Sequence, residues 1–566
     1  MKEIILKFVL KNAFDYGGSI NPKAVLGQVL RSNPELKKDV PEVMKTINVA
    51  VAEVKGKNKE EIRAELESIA PELLQIKDKE EDKIEGPLKP LSGAQKGKFV
   101  VRIAPSPSGA LHIGHAYGSS LNAVYAQMYE GKFILRIEDT NPENIYPKAY
   151  DLIKEDAMWL TDGKIDEVII QSSRLGHYYD AAEKLVDLGK AYVCTCDADK
   201  WRELKNDGKA CPCRNLGVKE QHIRYAKMFS EYKEGQAVLR CMTDIQHKNP
   251  AMRDFPIMRI NEHVHPKTKT EHKVWPLMVL SVAIDDHELG MTHVLNGKDH
   301  ADNAKKESII MKYLGWKPPV YKHWGRINFE GFTLSTSKTR IAIEQKEYTG
   351  WDDIRLPFLP ALRKRGYQAK ALQKFACGIG LSLNDKTVSQ EEFWKQVNAF
   401  NKEIVEPMAN RYFFISNPVE IALIGGNEKE VEFDVHADFP KRGKRKVLFK
   451  GTVMLAKDDV EKFEEGKIHR LIDCCNFIVE NCAYKVVSED YEEYKNAQNK
   501  GKIVHWLPKE HKFEQTSILM EDGTKLDGVG EESLSKLKEG DIIQFERMFF
   551  ARLNSKEKME FYHLHK

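Results

Sequence analysis

Residues 99–115 read FVVRIAPSPSGALHIGH, and the choice of fold turns on them. A short β-branched run ends in two prolines and a glycine, and a helical pattern starts on the far side. A strand that passes through such a turn into a helix is half of a βαβ unit. The other half follows at once. ALHIGHAYGSSLNAVYAQMYEG reads as a helix, and KFILRIEDT (132–140) as a second strand. Helical texture returns at 150–160 and 177–190, and later strands are expected at 278–284 and 292–296. This alternation predicts a parallel sheet with crossover helices. Ligands of such sheets bind outside the carboxyl ends of the strands.

The texture differs on either side. Ile4, Ile5, Phe8, Val9 and Ala13 recur near helical spacing, as do Val43, Ile47, Val51 and Val54, then Ile62, Leu66, Ile69 and Leu73. Residues 1–85 are therefore expected to be a helical domain, followed by a linker at 86–98 where two Pro and three Gly cluster with charges. A Rossmann-like α/β catalytic domain is expected at 99–345, with an insertion at about 190–275, and a helical connecting region at 346–405. From 406 to 566, short alternating runs such as YFFISNPVEIALI and DIIQFERMFFARL predict antiparallel β-barrels. No internal repeat is visible.

Composition narrows the function classes. The 566 residues are 42% apolar and 31% charged, enough for several cores and far from a low-complexity chain. No apolar window approaches transmembrane length, and the N-terminal apolar patch lacks a cleavage signature. Nine cysteines are too few for a disulfide scaffold of this size. A soluble cytoplasmic protein is expected. The 88 basic residues nearly cancel the 85 acidic ones, so any nucleic-acid contact must come from local clustering.

The strongest chemical signal is Pro105-Ser106-Pro107-Ser108-Gly109-Ala110-Leu111-His112-Ile113-Gly114-His115. It joins a strand to a helix N-terminus, whose N–H groups and dipole favour phosphate. Gly109 and Gly114 allow close approach to the backbone. His112 and His115 share one helix face and supply imidazole donors. Four cysteines form a second signal: Cys194-x-Cys196, fourteen residues, then Cys211-x-Cys213, a set suited to tetrahedral structural zinc. A third is Lys441-Arg442-Gly443-Lys444-Arg445-Lys446, either a solvated loop or a contact for RNA phosphates.

HIGH after APSPSG resembles the nucleotide signature of class I aminoacyl-tRNA synthetases, and RIAPSPSGALHIGHA is similar to their glutamyl and glutaminyl branch. FILRIEDTNPEN (133–144), YTGWDDIRLPFLPALRKRGY (348–367) and GDIIQFERMFFARL (540–553) resemble further segments of that branch in the same order. The helical N-terminus with a barrel-type C-terminus resembles the archaeal glutamyl arrangement. The resemblance implies ATP-dependent attachment of L-glutamate to tRNA(Glu) through a glutamyl-adenylate, with Mg²⁺ as cofactor. It implies a glutamate pocket made by Arg102, Ala104, Ser106 and Glu138. It also implies a KMSKS-like loop at Leu334, Ser335, Thr336, Ser337 and Lys338, where Thr336 replaces the usual lysine and Lys338 is the candidate to reach phosphate. Some glutamyl enzymes carry zinc at an insertion like 194–213, which agrees with the cysteine spacing. The family's pocket arginine falls at Asn296, and its aromatic near Trp275 or Met278, so glutamate and glutamine are not separated by motif. Glutaminyl-tRNA synthetase, a glutamyl transferase acting on a modified tRNA base, and a non-catalytic tRNA-binding paralogue stay open. So does charging of tRNA(Gln). A monomer is expected.

Overall fold

The computed structural model describes residues 2–15, 18–70, 73 and 86–566, in two compact units divided at Ile84 and Glu85. Part of the expected first domain, 74–85, lies outside the described residues. Among the described residues the first unit holds four α-helices: α1 (Lys2–Asp15), α2 (Pro22–Ser32), α3 (Val40–Val54) and α4 (Lys59–Ile69). Their apolar stripes meet in one core that includes Ile5, Val9, Val29, Val43, Ile47, Ile62 and Leu66. Asn58 caps α4 in a capping box with Glu61, and the helix stops at Ala70, before Pro71.

The second unit begins its α/β part with β1 (Val100–Ile103), α5 (Ile113–Met128), β2 (Lys132–Ile137), α6 (Ala149–Leu160) and β3 (Glu167–Ile170). These three strands run parallel in the order β1-β2-β3. The chain then passes through α7 (Leu175–Asp187) into an antiparallel sheet of β4 (Ala191–Cys194), β5 (Val238–Cys241), β6 (Pro256–Ile260) and β7 (Val274–Pro276). It returns by α10, preceded by α8 (Ala198–Asn206) and α9 (Val218–Phe229), where α10 is Met278–Glu288. The strand expected at 278–284 is thus a helix. Its residues are apolar on every side because the helix is enclosed, with Val279 through Asp286 all buried. A continuous apolar run does not distinguish a buried strand from a buried helix.

Strand β8 (His293–Gly297) follows, then α11 (Ala301–Tyr313) and β9 (Val320–Trp324), parallel to β8. Thr292 and Val100 exchange hydrogen bonds that set this pair beside β1. The chain therefore builds outward from β1 toward β3 and later from β8 toward β9. The junction of β1 and β8 is the topological switch point, where an open α/β sheet leaves a crevice.

The C-terminal region contains two seven-stranded sheets. They are not the closed barrels expected from the sequence, because the end strands of each sheet do not pair with each other. In the first, the ends are Asn410–Tyr412 and Phe414–Ser416, separated only by Phe413. In the second they are Lys500–Val504 and Leu507–Pro508. The chain itself turns the corner where a barrel would need a ladder. Alternating hydrophobicity fixes which face of a strand is buried, not whether the outer strands meet. Among the described residues no helix is long and apolar enough to cross a membrane.

Candidate active site and cysteine cluster

A cavity of about 450 Å³ opens at the switch point. Its walls come from the end of β1 (Arg102 to Pro105), the start of α5 (His112, His115, Ser119, Asn122), Glu138 after β2, and Asn296 on β8. Leu334, Asp299, His300 and Glu307 also line it, as does Met278 but not Trp275. Ser106 stands exposed beyond the rim, and among the residues of the expected glutamate pocket Arg102, Ala104 and Glu138 line the cavity.

The start of α5 is capped by its own histidines. His112 Nδ1 accepts the Gly114 N–H at 3.1 Å, and His115 Nδ1 accepts the His112 N–H at 3.2 Å. The Ile113 N–H is taken by the Pro357 carbonyl at 3.2 Å. The free backbone donors expected at this helix start are largely spent. Instead, with each Nδ1 acting as an acceptor, each neutral ring carries its proton on Nε2. Burial, and for His112 also its neighbour His115, pushes the pKa of His112 down to about 2; burial pushes His115 down to about 4. The stacked rings, 3.8 Å apart, are neutral donors at physiological pH. The strand-to-helix turn is anchored by Asp156, whose Oδ2 accepts the Leu111 N–H at 3.0 Å, and by Leu111 accepting from Leu359. A Cβ on Gly109 would come within 2.4 Å of both Thr336 and Trp351, so only glycine lets these side chains seat against the turn.

On the opposite wall Arg102 donates from Nε and Nη2 to the two oxygens of Asp286 at 3.2 and 3.1 Å. Arg136, fully buried, donates to Asp286 and to Glu138 Oε1 at 3.0 Å. Against the cost of burial, the two guanidinium groups hold Asp286 below the ordinary carboxylate range. Asp285 accepts from Gln171, Arg174 and Tyr178. Asp285 and Asp286 thus hold the pocket from behind, while His287 stacks on Trp316. Asp139 is buried under Ser172, Tyr150 and His265 rather than solvated. Burial, reinforced by Asp286, raises Glu307 to about 8.

The loop compared with KMSKS enters helix α12 (Thr336–Glu344), with the Ser335 hydroxyl capping the Lys338 N–H. Of its five residues Leu334 lines the cavity with the histidines; Lys338 lines a separate cavity of about 490 Å³ with Tyr348, Arg355 and Glu521. Thr336 packs its methyl beside Gly109. The structure does not bring Lys338 to the histidines.

In the insertion, the four thiols of Cys194, Cys196, Cys211 and Cys213 lie within 4.8 Å of one another. The Cys194–Cys211 and Cys196–Cys213 sulfur pairs are 3.9 and 3.7 Å apart. Zn–S bonds of about 2.3 Å in a tetrahedron give sulfur separations of about 3.8 Å. The donor set therefore fits a tetrahedral thiolate metal ion. The strand β4 presents Cys194, and Trp201 of α8 packs against the cluster.

The basic run 441–446 is not a free cationic patch. Strands Lys429–Asp434 and Lys444–Phe449 form a hairpin that pairs Lys444 with Glu432 and Lys446 with Glu430 and Glu432. Arg445 is buried against Glu531 and Glu546, and Arg442 donates to Asn410.

Residues 98–407 match the family model for the catalytic domain of class I tRNA synthetases (E and Q), and 409–495 and 503–554 match the anticodon-binding domain models of the same group. The chain belongs to this class I synthetase family. It is 42% identical to the glutamate–tRNA ligase of Methanothermobacter marburgensis, with 100% of both chains covered. It is 42% identical to that of Thermococcus kodakarensis over 98% of this chain and 97% of the relative. With the glutamate–tRNA ligase of Methanocaldococcus jannaschii it shares 41% identity over 98% of each.

The sequence pointed to the histidines, Arg102 and Glu138 but not to Arg136, Asp156, Asn122, Glu307 or His323. Arg136 carried the one usable signal, a cation inside an otherwise apolar strand.

Proposed function

We propose that this chain attaches L-glutamate to tRNA(Glu) at the expense of ATP, in two in-line steps. First, an α-carboxylate oxygen of glutamate attacks the ATP α-phosphorus, and the bond to pyrophosphate breaks. Then the terminal ribose 2′-hydroxyl of tRNA attacks the carbonyl carbon of the adenylate, and AMP leaves. The observation that carries this is the cavity at the β1–β8 switch point, with two neutral Nε2–H donors on one wall and Arg102 and Glu138, held by Asp286 and Arg136, on another. The imidazoles donate to phosphate oxygens as charge builds in the transition state. Neutral donors do this without first being desolvated as cations. Arg102, fixed by Asp286, offers its remaining N–H groups to carboxylate, and Glu138 accepts from the substrate ammonium. Orientation and electrostatics suffice, and no residue forms a covalent intermediate.

Mg²⁺ would be the cofactor brought with ATP, where it would offset phosphate charge. Lys338 contributes only if the turn at 334–337 swings toward the cavity. Cys194, Cys196, Cys211 and Cys213 would hold a structural Zn²⁺ that fixes the insertion, a candidate platform for the tRNA acceptor end. The C-terminal sheets would read the anticodon, and the helical unit would be an appendage. The expected setting is the cytoplasm, as a monomer. The test is ATP-dependent charging of purified tRNA(Glu) and tRNA(Gln), each with glutamate and with glutamine, plus an omission of tRNA. Glutamate transfer supports the proposal; tRNA binding with no charging of either amino acid would reassign the chain as a non-catalytic paralogue.

A further inference from the structure

The cavity poses an electrostatic problem for a substrate whose side chain is an anion. Its one guanidinium, Arg102, commits Nε and Nη2 to Asp286. Its lining carboxyl groups are Glu138 and Asp299, with Glu307 kept protonated by burial and Asp286. His112 and His115 are neutral. On the β8–β9 side Lys322 is not among the lining residues, and the lining imidazole of His300 lies 3.6 Å from Asp299. Asn296 there pairs in register with His323, and the His323 Nδ1 to Asn296 Oδ1 distance is 2.7 Å. An amide oxygen only accepts, so His323 donates through Nδ1–H and the Asn296 amide NH₂ is left for the cavity. No other hydrogen bond holds that NH₂ among the described residues.

Asn122 supplies the complement. It lines the same cavity and is 1% exposed. Its NH₂ donates to the carbonyls of Gly118 and Leu295, at 2.9 and 3.3 Å, which fixes the orientation of the amide. Its Oδ1 is buried and has no partner. Leu295 immediately precedes Asn296, so the unpartnered acceptor is tied to the strand that carries the unspent donor. An acceptor left alone in a buried wall costs free energy until a donor meets it. A carboxylate offers none; a carboxamide offers both a carbonyl for Asn296 and an NH₂ for Asn122.

Building on the proposed synthetase activity, we propose that Asn296 and Asn122 form a neutral donor–acceptor wall that takes a side-chain carboxamide as well as a carboxylate. Glutamine therefore competes with glutamate for this cavity. Asn296 sets the specificity, and His323 is a positioning residue that aims its NH₂. A wall that offers a neutral donor and acceptor favours a carboxylate over a carboxamide far less than one that pairs the carboxylate with a cation.

The test is ATP–pyrophosphate exchange by the full chain with tRNA(Glu) present. The wild-type chain should show glutamate-dependent exchange that glutamine inhibits competitively, with a Ki within about tenfold of the glutamate KM. Asn296→Asp replaces the donor with an anion. It should raise the glutamate KM by about thirtyfold or more and leave the glutamine Ki within about threefold, with the ATP KM unchanged. Asn296→Arg should shift the ratio the other way. His323→Ala should follow Asn296→Ala in KM with little change in kcat, and His323→Gln, which keeps a donor, should restore the wild-type ratio. Glutamate exchange that glutamine at a hundredfold excess does not inhibit would overturn the proposal. So would competition whose ratio none of the Asn296 variants moves. Absence of exchange with either amino acid would instead remove the synthetase activity on which this rests.

Discussion

The turn at 109–115 and the hairpin at 429–449 make opposite use of polar groups. The turn has no formal charge, since both imidazoles are held neutral by burial. It nevertheless leaves two Nε2–H donors unspent, because Nδ1 of each ring is consumed in capping α5. The hairpin carries most of a run of five cations and spends them: Lys444 and Lys446 on facing glutamates, Arg445 on the buried Glu531 and the half-buried Glu546. Capacity to bind an anion follows from donors without partners, not from charge counted along the chain.

The sharpest way to break this contrast is to remove a donor from the turn. His115→Ala, and separately His112→Ala, should lower adenylate formation by roughly two to three orders of magnitude, the effect of losing one preorganised donor. Filter binding should find tRNA affinity changed by less than about twofold. Unaltered exchange kinetics would deny the turn its part in the chemistry.

The cysteine cluster lies between the two cases: its four thiols contact one another, while Cys211 also reaches the Tyr192 hydroxyl and Cys213 the Thr195 hydroxyl and the Arg224 guanidinium. Metal analysis should find one zinc per chain, lost in Cys211→Ser, with the melting temperature down by roughly 5 °C or more. A metal-free wild type of equal stability would remove zinc from the description.

Glu307 probes the cavity's own field. Its folded pKa, about 8, lies above the ordinary 4.5 because burial and Asp286 disfavour the anion. The folded state therefore holds a proton that the unfolded chain releases, and the carboxyl group costs stability increasingly as pH rises from 4.5 to 8. Glu307→Gln should gain on the wild type across that window, by on the order of a few kcal/mol at pH 8, and then run parallel. Thermal melts of both chains at pH 5, 7 and 8.5 decide it. A stability difference independent of pH would mean that the carboxyl group titrates normally.

The smallest effect belongs to the hairpin. Lys444→Ala and Lys446→Ala should change tRNA affinity by less than about threefold, with the salt slope altered by less than about one. A tenfold loss would show that their pairing with glutamate yields to RNA phosphate.

The same difference explains what could be read from the sequence. The turn's chemistry is contiguous: strand, glycine, capping histidine and helix lie within eleven residues, and each acts on its near neighbours. Arg102 and Asp286 are 184 residues apart, and Arg136 and Asp286 150, so their contact exists only once the sheet has formed. Asn296 looked like a missing cation because its partner, His323, comes from a neighbouring strand, and Asn122, which bonds the carbonyl of the preceding Leu295, from a helix. The helix at Met278–Glu288 was masked by its own burial. The pairing of Lys444 and Lys446 needed the register of a hairpin whose other strand is rich in glutamate.

ATP–pyrophosphate exchange with glutamate and tRNA(Glu), comparing wild type, His115→Asn and His115→Ala, is the most direct test of the neutral-donor turn. Asparagine keeps a neutral N–H donor and cannot become a cation. The expected result is exchange by His115→Asn at least tenfold faster than by His115→Ala. Equal, near-complete loss in both variants, with a wild-type rate that rises on imidazole protonation below pH 7, would contradict it.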